Sequence, residues 1–345
     1  MPAICERGNS VENKREVKLQ AWCEAVTGYP QQDLQPVFGD ARPWRYYRTH
    51  DGLRSLIAID TMNTEAALNN YLAVADAYSE RDVAVPELVA VNEQRGFMLM
   101  TDLGSSLLLS HLSEASLSEW YAKVFVDLAD IMTVTETQNG PLPKFDAAQL
   151  QAELDLMYEW LVKAHLRLEF SDAEEKVWKD FCAALIANAE AQPQVGVHRK
   201  FHARNVLVQG DKSLAYTGFH DAVVGPITYD VVSLLRDCYV RWPDDQVRRL
   251  AAECYDYLRN QRKDLGLDAD AAIWQRWFDL MGLQRHAYAS GLFARRYRRD
   301  GNPGYVQDIP RNLAYLHDVA AIYAEFEDFR VILKDRILPA LAALD

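Results

Sequence analysis

Residues 194–242 constrain the fold and chemistry of this chain more than any other stretch. The segment holds His198, Lys200 and Asn205 within HRKFHARN, and after an apolar run it reads TGFHD at 217–221. A lysine ammonium with its ordinary pKa of about 10.4 has no free lone pair. Lys200 therefore cannot accept a proton unless burial lowers its pKa strongly. The segment predicts a polar loop whose central charged group is a cation.

The spacing of this segment resembles a catalytic loop. In the aminoglycoside phosphotransferase branch of the protein-kinase-like fold, a loop H-x-D-x-x-x-x-N is followed by a short hairpin and a motif I-D-F/W-x-D. His198 and Asn205 match the first motif, whereas Lys200 occupies the position of its catalytic aspartate. Gly218 occupies the position of the metal-binding aspartate, and Asp221 is the one carboxylate left in the second motif. The resemblance implies a phosphotransferase fold without its two chemical acids.

A narrower resemblance extends over nearly the whole chain. The runs DAVVGPITYDVVSLLRDCYVRWP (221–243) and MGLQRHAYASGLFARRYRRDGNPGYVQDIPRNLAYL (281–316) are similar to the bacterial N-acetylmuramate/N-acetylglucosamine anomeric kinases of cell-wall recycling. PWRYYR, MTDLG and ELDLMYEW fit the same family in order, at Pro43–Arg48, Met100–Gly104 and Glu153–Trp160. The resemblance implies an amino sugar and ATP as ligands, and the replacement of the metal-binding aspartate by Gly218 implies that Mg²⁺ is bound weakly or not at all.

The same resemblance assigns roles to individual residues. The catalytic positions are Lys200 and Gly218, both expected to be non-functional, and His198, expected to brace the loop. The nucleotide contacts are expected from Arg45, Met100, Asp102 and Asn205. The metal contacts are expected from Asp221 and Asn205. The substrate contacts are expected from Asp237, Arg236 and Arg295.

Several positions leave two interpretations open. Asp230 opens a predicted helix, where it either caps that helix or holds the backbone of the catalytic loop. The arginines of 295–299 either meet an anionic group, such as the lactyl carboxylate of a muramic acid, or stay solvated at a helix end. Glu65 is either the acidic residue of the small lobe's regulatory helix or a solvated side chain. Asp221 either contacts a metal or caps the turn after it.

The predicted fold class is α+β, with two lobes of the protein-kinase-like type. Residues 1–100 form a nucleotide-binding lobe, 101–104 a hinge, and 105–345 a helical lobe with the degenerate loop and the sugar-binding region. Two short strands joined by Asp51-Gly52 predict a hairpin, and the turn at 38–42 is expected over the phosphates. Apolar periodicity predicts the helices Thr64–Tyr78, Leu117–Thr133, Phe145–Leu166, Ser171–Ala189, Val231–Trp242, Gln246–Gln261, Ala271–Tyr297 and Pro310–Phe329. Ser171 and Glu174 stand at the spacing of a capping box.

Composition narrows the classes of partner. A net charge of −13 argues against nucleic acid and against an acidic membrane surface. The five cysteines lack C-x-x-C spacing, so neither a zinc site nor a disulfide framework is predicted. The first thirty residues hold no apolar signal-peptide core, and no window approaches the roughly 18 apolar residues of a spanning helix. These features predict a cytoplasmic protein.

Three functions are compatible with these residues. The first is a catalytically impaired pseudokinase that still binds sugar, nucleotide or both. The second is an active ATP-dependent amino-sugar phosphotransferase that uses Asp221 and a displaced base. The third is a scaffold with a collapsed cleft that binds a regulatory protein partner. A turnover assay separates the first two, and ligand-induced stabilisation separates both from the third.

Overall fold

The structure is a computed structural model, and it describes residues 5–30, 34–37, 44–62 and 65–344, with the side chains of 5–13 and 65–67 excepted. The chain divides into two compact units. The first comprises Met1–Leu108, Glu136–Gly140 and Val206–His220, and the second comprises Leu109–Thr135, Pro141–Asn205 and Asp221–Asp345. The first unit thus includes two short segments from beyond the predicted hinge.

The described strands are short and pair only with antiparallel neighbours. In chain order they are β1 Gln35–Val37, β2 Arg45–His50, β3 Ser55–Asp60, β4 Leu88–Asn92, β5 Phe97–Thr101, β6 Glu136–Thr137, β7 Gly140–Pro141, β8 Gln194–Val197, β9 Val206–Val208, β10 Leu214–Tyr216 and β11 Val223–Pro226. Five of them form one sheet in the order β1-β2-β3-β5-β4. The others pair as β6 with β7, β9 with β10 and β8 with β11.

The helices dominate the second half of the chain. They are α1 Cys5–Thr27, α2 Glu65–Ser79, α3 Leu117–Ile131, α4 Ala147–Leu156, α5 Asp172–Glu190, α6 Thr228–Leu235, α7 Asp244–Gln261, α8 Ala271–Arg298, α9 Ile309–Ala320, α10 Glu327–Ile332 and α11 Leu338–Ala342. A π-helical segment, Met157–His165, continues α4 directly. None of the described helices is long and apolar enough to cross a membrane.

The first unit is built on the predicted hairpin. Strands β2 and β3 pair in register from Arg45 opposite Asp60 to His50 opposite Ser55. The Asp51 carboxylate accepts the backbone amides of Leu53 and Arg54, at 3.0 and 2.9 Å, and Gly52 adopts φ +89°, which glycine tolerates without a steric penalty. Helix α1 covers one face of this sheet, with its buried residues packed against the side chains of β3 and β5.

The second unit has a helical core around α8. Its buried cluster joins side chains of α4, the π-helical segment, α5, α8 and α9. Gly291 of α8 permits the closest approach, because a Cβ there would lie 2.2 Å from the backbone carbon of Leu156. The predicted capping box at the start of α5 is confirmed: the Ser171 side chain and the Glu174 side chain each accept the other's backbone amide.

Two predicted helices are shorter than expected. The segment Val231–Trp242 is helical only as far as Leu235, after which Arg236 leaves helical geometry at φ −113° and ψ 53°. The helix ends there because the Asp237 carboxylate accepts the amide of Tyr239, two residues on, at 2.8 Å, and this local bond competes with the helical pattern. The segment Pro310–Phe329 is divided into α9 and α10 by a turn and a 3-10 helix.

Candidate active site

A buried carboxylate holds the loop that carries the catalytic-loop motif. Asp230 Oδ2 accepts the amide of His198 at 2.6 Å, and Oδ1 accepts the amide of Arg199 at 3.1 Å. Asp230 is the third residue of α6 and not its N-cap, so the capping interpretation is wrong and the loop-holding one is correct. Burial raises the pKa of Asp230 to about 7, and the two loop amides partly oppose that shift.

His198 and Arg199 complete the local support of the loop. The His198 side chain is fully buried, and its Nδ1 accepts the amide of Lys200 at 3.2 Å. Arg199 adopts the left-handed region at φ +70°, which is uncommon for a residue with a Cβ. Its guanidinium bonds to the Glu153 carboxylate and lies 4.8 Å from the ring centre of Phe145. The loop therefore turns sharply at Arg199, immediately before Lys200.

Lys200 forms an ion pair with Asp221. The Lys200 Nζ lies 3.2 Å from Asp221 Oδ2, and the two side chains are 26% and 31% exposed. Asn205 Nδ2 donates to the backbone oxygen of Lys200 at 2.9 Å and lies 3.3 Å from His202 Nε2. A cation thus stands at the position where the resemblance expects a proton acceptor. This cation pairs with Asp221, the carboxylate that the sequence predicts as a metal ligand.

The Lys200 ammonium competes with any cation for the Asp221 carboxylate. Mg²⁺ in a nucleotide site needs one or two protein carboxylates, and the Asp221 carboxylate already has the Lys200 ammonium against it. The described part of the chain also holds no group of three or more His, Cys, Asp or Glu side chains that could bind a metal. A divalent cation at Asp221 would have to share the carboxylate with the Lys200 ammonium or displace it.

The two predicted substrate contacts after α6 lie in the interior. Asp237 is fully buried, and besides Tyr239 its carboxylate accepts the amide of Ala203, in the loop, at 3.2 Å. Burial raises the pKa of Asp237 to about 6, with those two amides opposing the shift. Arg236 donates to Asp279 at 2.6 Å, and both side chains are buried. Asp237 therefore supports the loop through the amide of Ala203, and Arg236 links the end of α6 to α8 through Asp279.

A second buried carboxylate, Glu153, was not predicted as a site residue. Besides Arg199, it accepts Gln284 Nε2 at 2.8 Å and faces Arg285 Nη1 at 3.5 Å. Glu153 lies in α4, while Gln284 and Arg285 lie in α8, 131 and 132 residues further along the chain. No local spacing could have linked them. The run ELDLMYEW, which begins at Glu153, was the only signal in the sequence.

The arginines of 295–299 have different partners. Arg298 donates to His165 Nδ1 at 3.0 Å, Arg299 donates to Asp300 at 2.6 Å, and Arg296 lies 4.5 Å from the ring centre of Tyr305. Arg295 has no hydrogen-bonding or ion-pair partner within the described residues, and its Nε is buried. The solvated interpretation fits Arg299, which is 54% exposed in its side chain. Arg295 is only partly exposed.

In the first unit, the glycine of the second motif has a backbone conformation that would be strained for any residue with a Cβ. Gly218 has φ +85°, which a side chain at this position would adopt at a cost of about 1 to 2 kcal/mol. The following Phe219 is buried against Tyr71 and Tyr78, with ring centres 4.7 and 5.5 Å away. Asn70 Nδ2 donates to the backbone oxygen of His220 at 2.7 Å. The turn that follows Gly218 is therefore anchored within the first unit by the Phe219 ring and by the backbone oxygen of His220.

The predicted nucleotide contacts of the first unit lie along its sheet. Arg45 begins β2, and Met100 is buried in β5 opposite Ile57. Asp102, just after β5, accepts Arg48 Nε at 2.6 Å and Ser55 Oγ at 2.5 Å. Burial opposes the ionisation of Asp102, but these donors and the Gly104 amide outweigh it and hold its pKa below the ordinary value. The Asp102 carboxylate thus fixes the segment that follows the sheet.

Two expectations fall outside the described residues. The turn Phe38-Gly39-Asp40-Ala41-Arg42, between β1 and β2, lies outside the described residues. The side chain of Glu65, at the start of α2, is likewise outside the described side chains. Both remain predictions.

Known proteins similar to this chain fall into one group. Residues 33–265 match the phosphotransferase enzyme family. The chain is 33% identical over 299 residues to an N-acetylmuramate/N-acetylglucosamine kinase of Pseudomonas putida, which covers 87% of this chain and 86% of the relative. It is 31% identical over 331 residues to a protein of the same name from Neisseria meningitidis, covering 94% and 96% of the two chains.

Solved structures with much lower identity share the fold. The choline kinase LicA from Streptococcus pneumoniae superposes with a TM-score of 0.61 at 11% identity, covering 91% of this chain and all of LicA (100%). The ADP-bound aminoglycoside phosphotransferase APH(2'')-Ib gives a TM-score of 0.60 at 11% identity and covers 88% and 98% of the two chains. The predicted α+β, protein-kinase-like fold class is confirmed.

Proposed function

The chain belongs to the phosphotransferase enzyme family, and on that premise we propose that it is an amino-sugar-binding member whose phosphoryl transfer is impaired. Its curated relatives are kinases of N-acetylmuramate and N-acetylglucosamine. The proposed ligands are therefore these sugars, with ATP as the nucleotide. The observation that carries the proposal is the ion pair between Lys200 and Asp221.

The ion pair bears on proton transfer first. Phosphoryl transfer to a hydroxyl uses a group that accepts the hydroxyl proton within hydrogen-bonding reach. An ammonium held by a carboxylate is stabilised in its protonated form, so the contact with Asp221 makes Lys200 a poorer base than a free lysine. Loss of general base catalysis typically lowers a rate by about 10² to 10⁴.

The ion pair bears on metal binding as well. A metal that bridges the nucleotide phosphates neutralises charge developing on the transferred group. In this chain, the carboxylate that could hold such an ion is neutralised by Lys200, and the position of the other metal ligand is Gly218. We expect nucleotide binding, where it occurs, to gain little from Mg²⁺, because Asp221 is already paired with Lys200 and Gly218 supplies no carboxylate.

The structural supports of the loop favour retention of ligand binding. The carboxylates of Asp230 and Asp237 hold the loop backbone from buried positions, and neither accepts a substrate proton in doing so. Hydrogen bonds to sugar hydroxyls act in ground-state recognition and require neither missing acid. The proposal therefore separates binding, which is kept, from turnover, which is not.

The test is a pair of measurements on the purified full chain. Labelled ATP, Mg²⁺ and N-acetylmuramate are incubated with the protein, and sugar-phosphate is expected at no more than background. In parallel, calorimetry with N-acetylmuramate and N-acetylglucosamine is expected to detect binding at millimolar concentration or below. Turnover far above background would overturn the impaired site. If neither sugar binds, the proposed ligands are wrong.

A further inference from the structure

One face of helix α8 carries polar side chains that the phosphotransferase motif does not use. Arg285, Tyr288 and Arg295 are separated by three and seven residues, which places their Cα atoms within about 80° of each other around the helix. Gly291, on the adjoining side, packs against the backbone at Leu156, where α4 ends. The face is therefore directed at the end of α4 that carries Glu153.

Arg285 is held at one end of this face. Its guanidinium carbon lies 4.3 Å from the ring centre of Tyr229 and 4.8 Å from that of Tyr288. Its Nε donates to Ser233 Oγ at 3.2 Å, and its Nη1 faces Glu153 at 3.5 Å. These contacts fix the guanidinium plane between two aromatic rings, where arginine stacks favourably.

Positive charge exceeds negative charge along the face. Glu153 faces two guanidinium groups, those of Arg199 and Arg285, and also accepts Gln284. Its carboxylate is therefore fully engaged and has little charge left to repel an anion. Arg295 adds a third guanidinium, which has no hydrogen bond or ion pair among the described residues; the Asp300 carboxylate acts on it from a longer distance and is itself paired with Arg299.

Arg295 and Tyr288 are the two groups on this face without a hydrogen-bonding partner among the described residues. Burial lowers the pKa of Arg295, and the nearby Arg299 adds to that shift. Burial likewise raises the pKa of the Tyr288 hydroxyl, which stays a neutral donor at neutral pH. A cation that is partly desolvated and unpaired gains most from a bound anion.

We propose that Arg295 and Tyr288 form a carboxylate-binding subsite that selects an amino sugar with an acidic ether substituent over the same sugar without it. The inference rests on the proposed function, since it concerns the sugar bound by the same chain. N-Acetylmuramate differs from N-acetylglucosamine by a lactyl ether that carries a carboxylate. The planar guanidinium fork of Arg295 binds both oxygens of such a group, and the Tyr288 hydroxyl donates to one of them.

The test compares the two sugars on the full chain by calorimetry. The unmodified protein is expected to bind N-acetylmuramate more tightly than N-acetylglucosamine. Arg295→Gln is expected to lower the affinity for N-acetylmuramate about 10- to 100-fold, the range for hydrogen bonds to a charged group. It should leave N-acetylglucosamine within about twofold. Tyr288→Phe should weaken N-acetylmuramate by a smaller factor, since it removes one neutral donor.

Arg299→Gln is the matched control, because it removes the same charge from the same helix end at a side chain already paired with Asp300. We expect it to change neither affinity by more than about twofold, since exposed charges are screened by salt. Equal weakening of N-acetylmuramate by Arg299→Gln and Arg295→Gln would reduce the effect to general electrostatics and overturn the subsite.

A measurement without substitution covers the case in which Arg295→Gln does not fold. Raising the salt concentration from about 0.05 to 0.5 M should lower the affinity for N-acetylmuramate and leave the affinity for N-acetylglucosamine unchanged, because only N-acetylmuramate makes a charged contact. Equal affinity for both sugars, with the same salt response, would overturn the subsite while the proposed function stands. Failure of both sugars to bind would remove the proposed function and the subsite together.

Discussion

Two sets of carboxylates lie within reach of the same loop, and they differ in what they bind. Asp230 and Asp237 are buried and accept backbone amides of residues 198–203. Asp221 is partly exposed and binds the side chain of Lys200. Asp230 and Asp237 hold the backbone of the loop in shape, whereas Asp221 pairs with the residue at the position of the catalytic aspartate. A loop can therefore keep its shape after its chemical acids are replaced.

The difference has an energetic reason. A buried amide left without an acceptor costs about 1 to 3 kcal/mol, so replacement of a supporting carboxylate endangers the fold. A partly exposed ion pair contributes about 0 to 1 kcal/mol, so its members can change with little effect on folding. Four predictions test this contrast.

The largest expected effect is a gain of activity in the double variant Lys200→Asp, Gly218→Asp. The two acids have separate tasks, a proton acceptor and a metal ligand, so both are needed at once. We expect amino-sugar phosphorylation to rise about 10²- to 10⁴-fold above the unmodified protein, with neither single variant reaching a tenth of that. The measurement is formation of labelled sugar-phosphate from ATP and N-acetylmuramate.

The backbone at Gly218 requires its own control for this variant. An aspartate must adopt φ +85° there, at a cost of about 1 to 2 kcal/mol. Lys200→Asp, Gly218→Asn carries the same strain without the second charge and should stay inactive. A double aspartate variant that is folded, binds both ligands and makes no product would show that the site differs from its relatives at further positions.

The second effect is a loss of stability in Asp230→Ala. The amides of His198 and Arg199 would lose their buried acceptor, and the free energy of unfolding should fall by about 3 kcal/mol or more. Urea denaturation followed by circular dichroism measures it. Asp221→Ala is the matched control and should cost less than about 1 kcal/mol. Similar losses from both variants would remove the contrast between the two sets.

The third effect is a pH dependence that belongs to Asp237. The pKa of its carboxyl is raised from 3.8 to about 6 in the folded protein by burial, so the folded state holds a proton that the unfolded state releases. The contribution of Asp237 to the free energy of unfolding therefore falls as pH rises from about 4 to 6, by about 1 kcal/mol per pH unit, and is constant above that range.

Asp237→Asn isolates this contribution, because the amide is neutral at every pH and keeps an acceptor oxygen. Urea unfolding of the variant and the unmodified protein at pH values from about 4 to 8 gives the difference between them. That difference should shift in favour of the variant as pH rises to 6. A flat difference would mean that the Asp237 carboxyl is not destabilised by its burial.

The smallest effect concerns Lys200→Ala. Since the ion pair is 26% and 31% exposed, we expect the free energy of unfolding to change by less than about 1 kcal/mol, as measured by urea denaturation. Lys200→Gln serves as the variant of similar length without charge. A loss above about 2 kcal/mol would place Lys200 among the structural supports of the loop.

The sequence by itself determined the features that depend on nearby residues. The hairpin at Asp51-Gly52 and the capping box of Ser171 and Glu174 were both predicted, because each uses bonds between residues two to three positions apart. The fold class followed from motif spacing. The motifs also identified Lys200 and Gly218 as the altered positions, because a motif specifies which residue type is expected at each position.

The tertiary structure alone decided which side chains meet. It placed Lys200 against Asp221 and Glu153 between Arg199 and Arg285. Among the described residues it gave Arg298 and Arg299 hydrogen-bonding partners and gave none to Arg295. It also brought the Asp237 carboxylate to the amide of Ala203, 34 residues away in the chain. Such contacts depend on the packing of helices that are distant in the chain, and side chains far apart in sequence carry no local signal of one another.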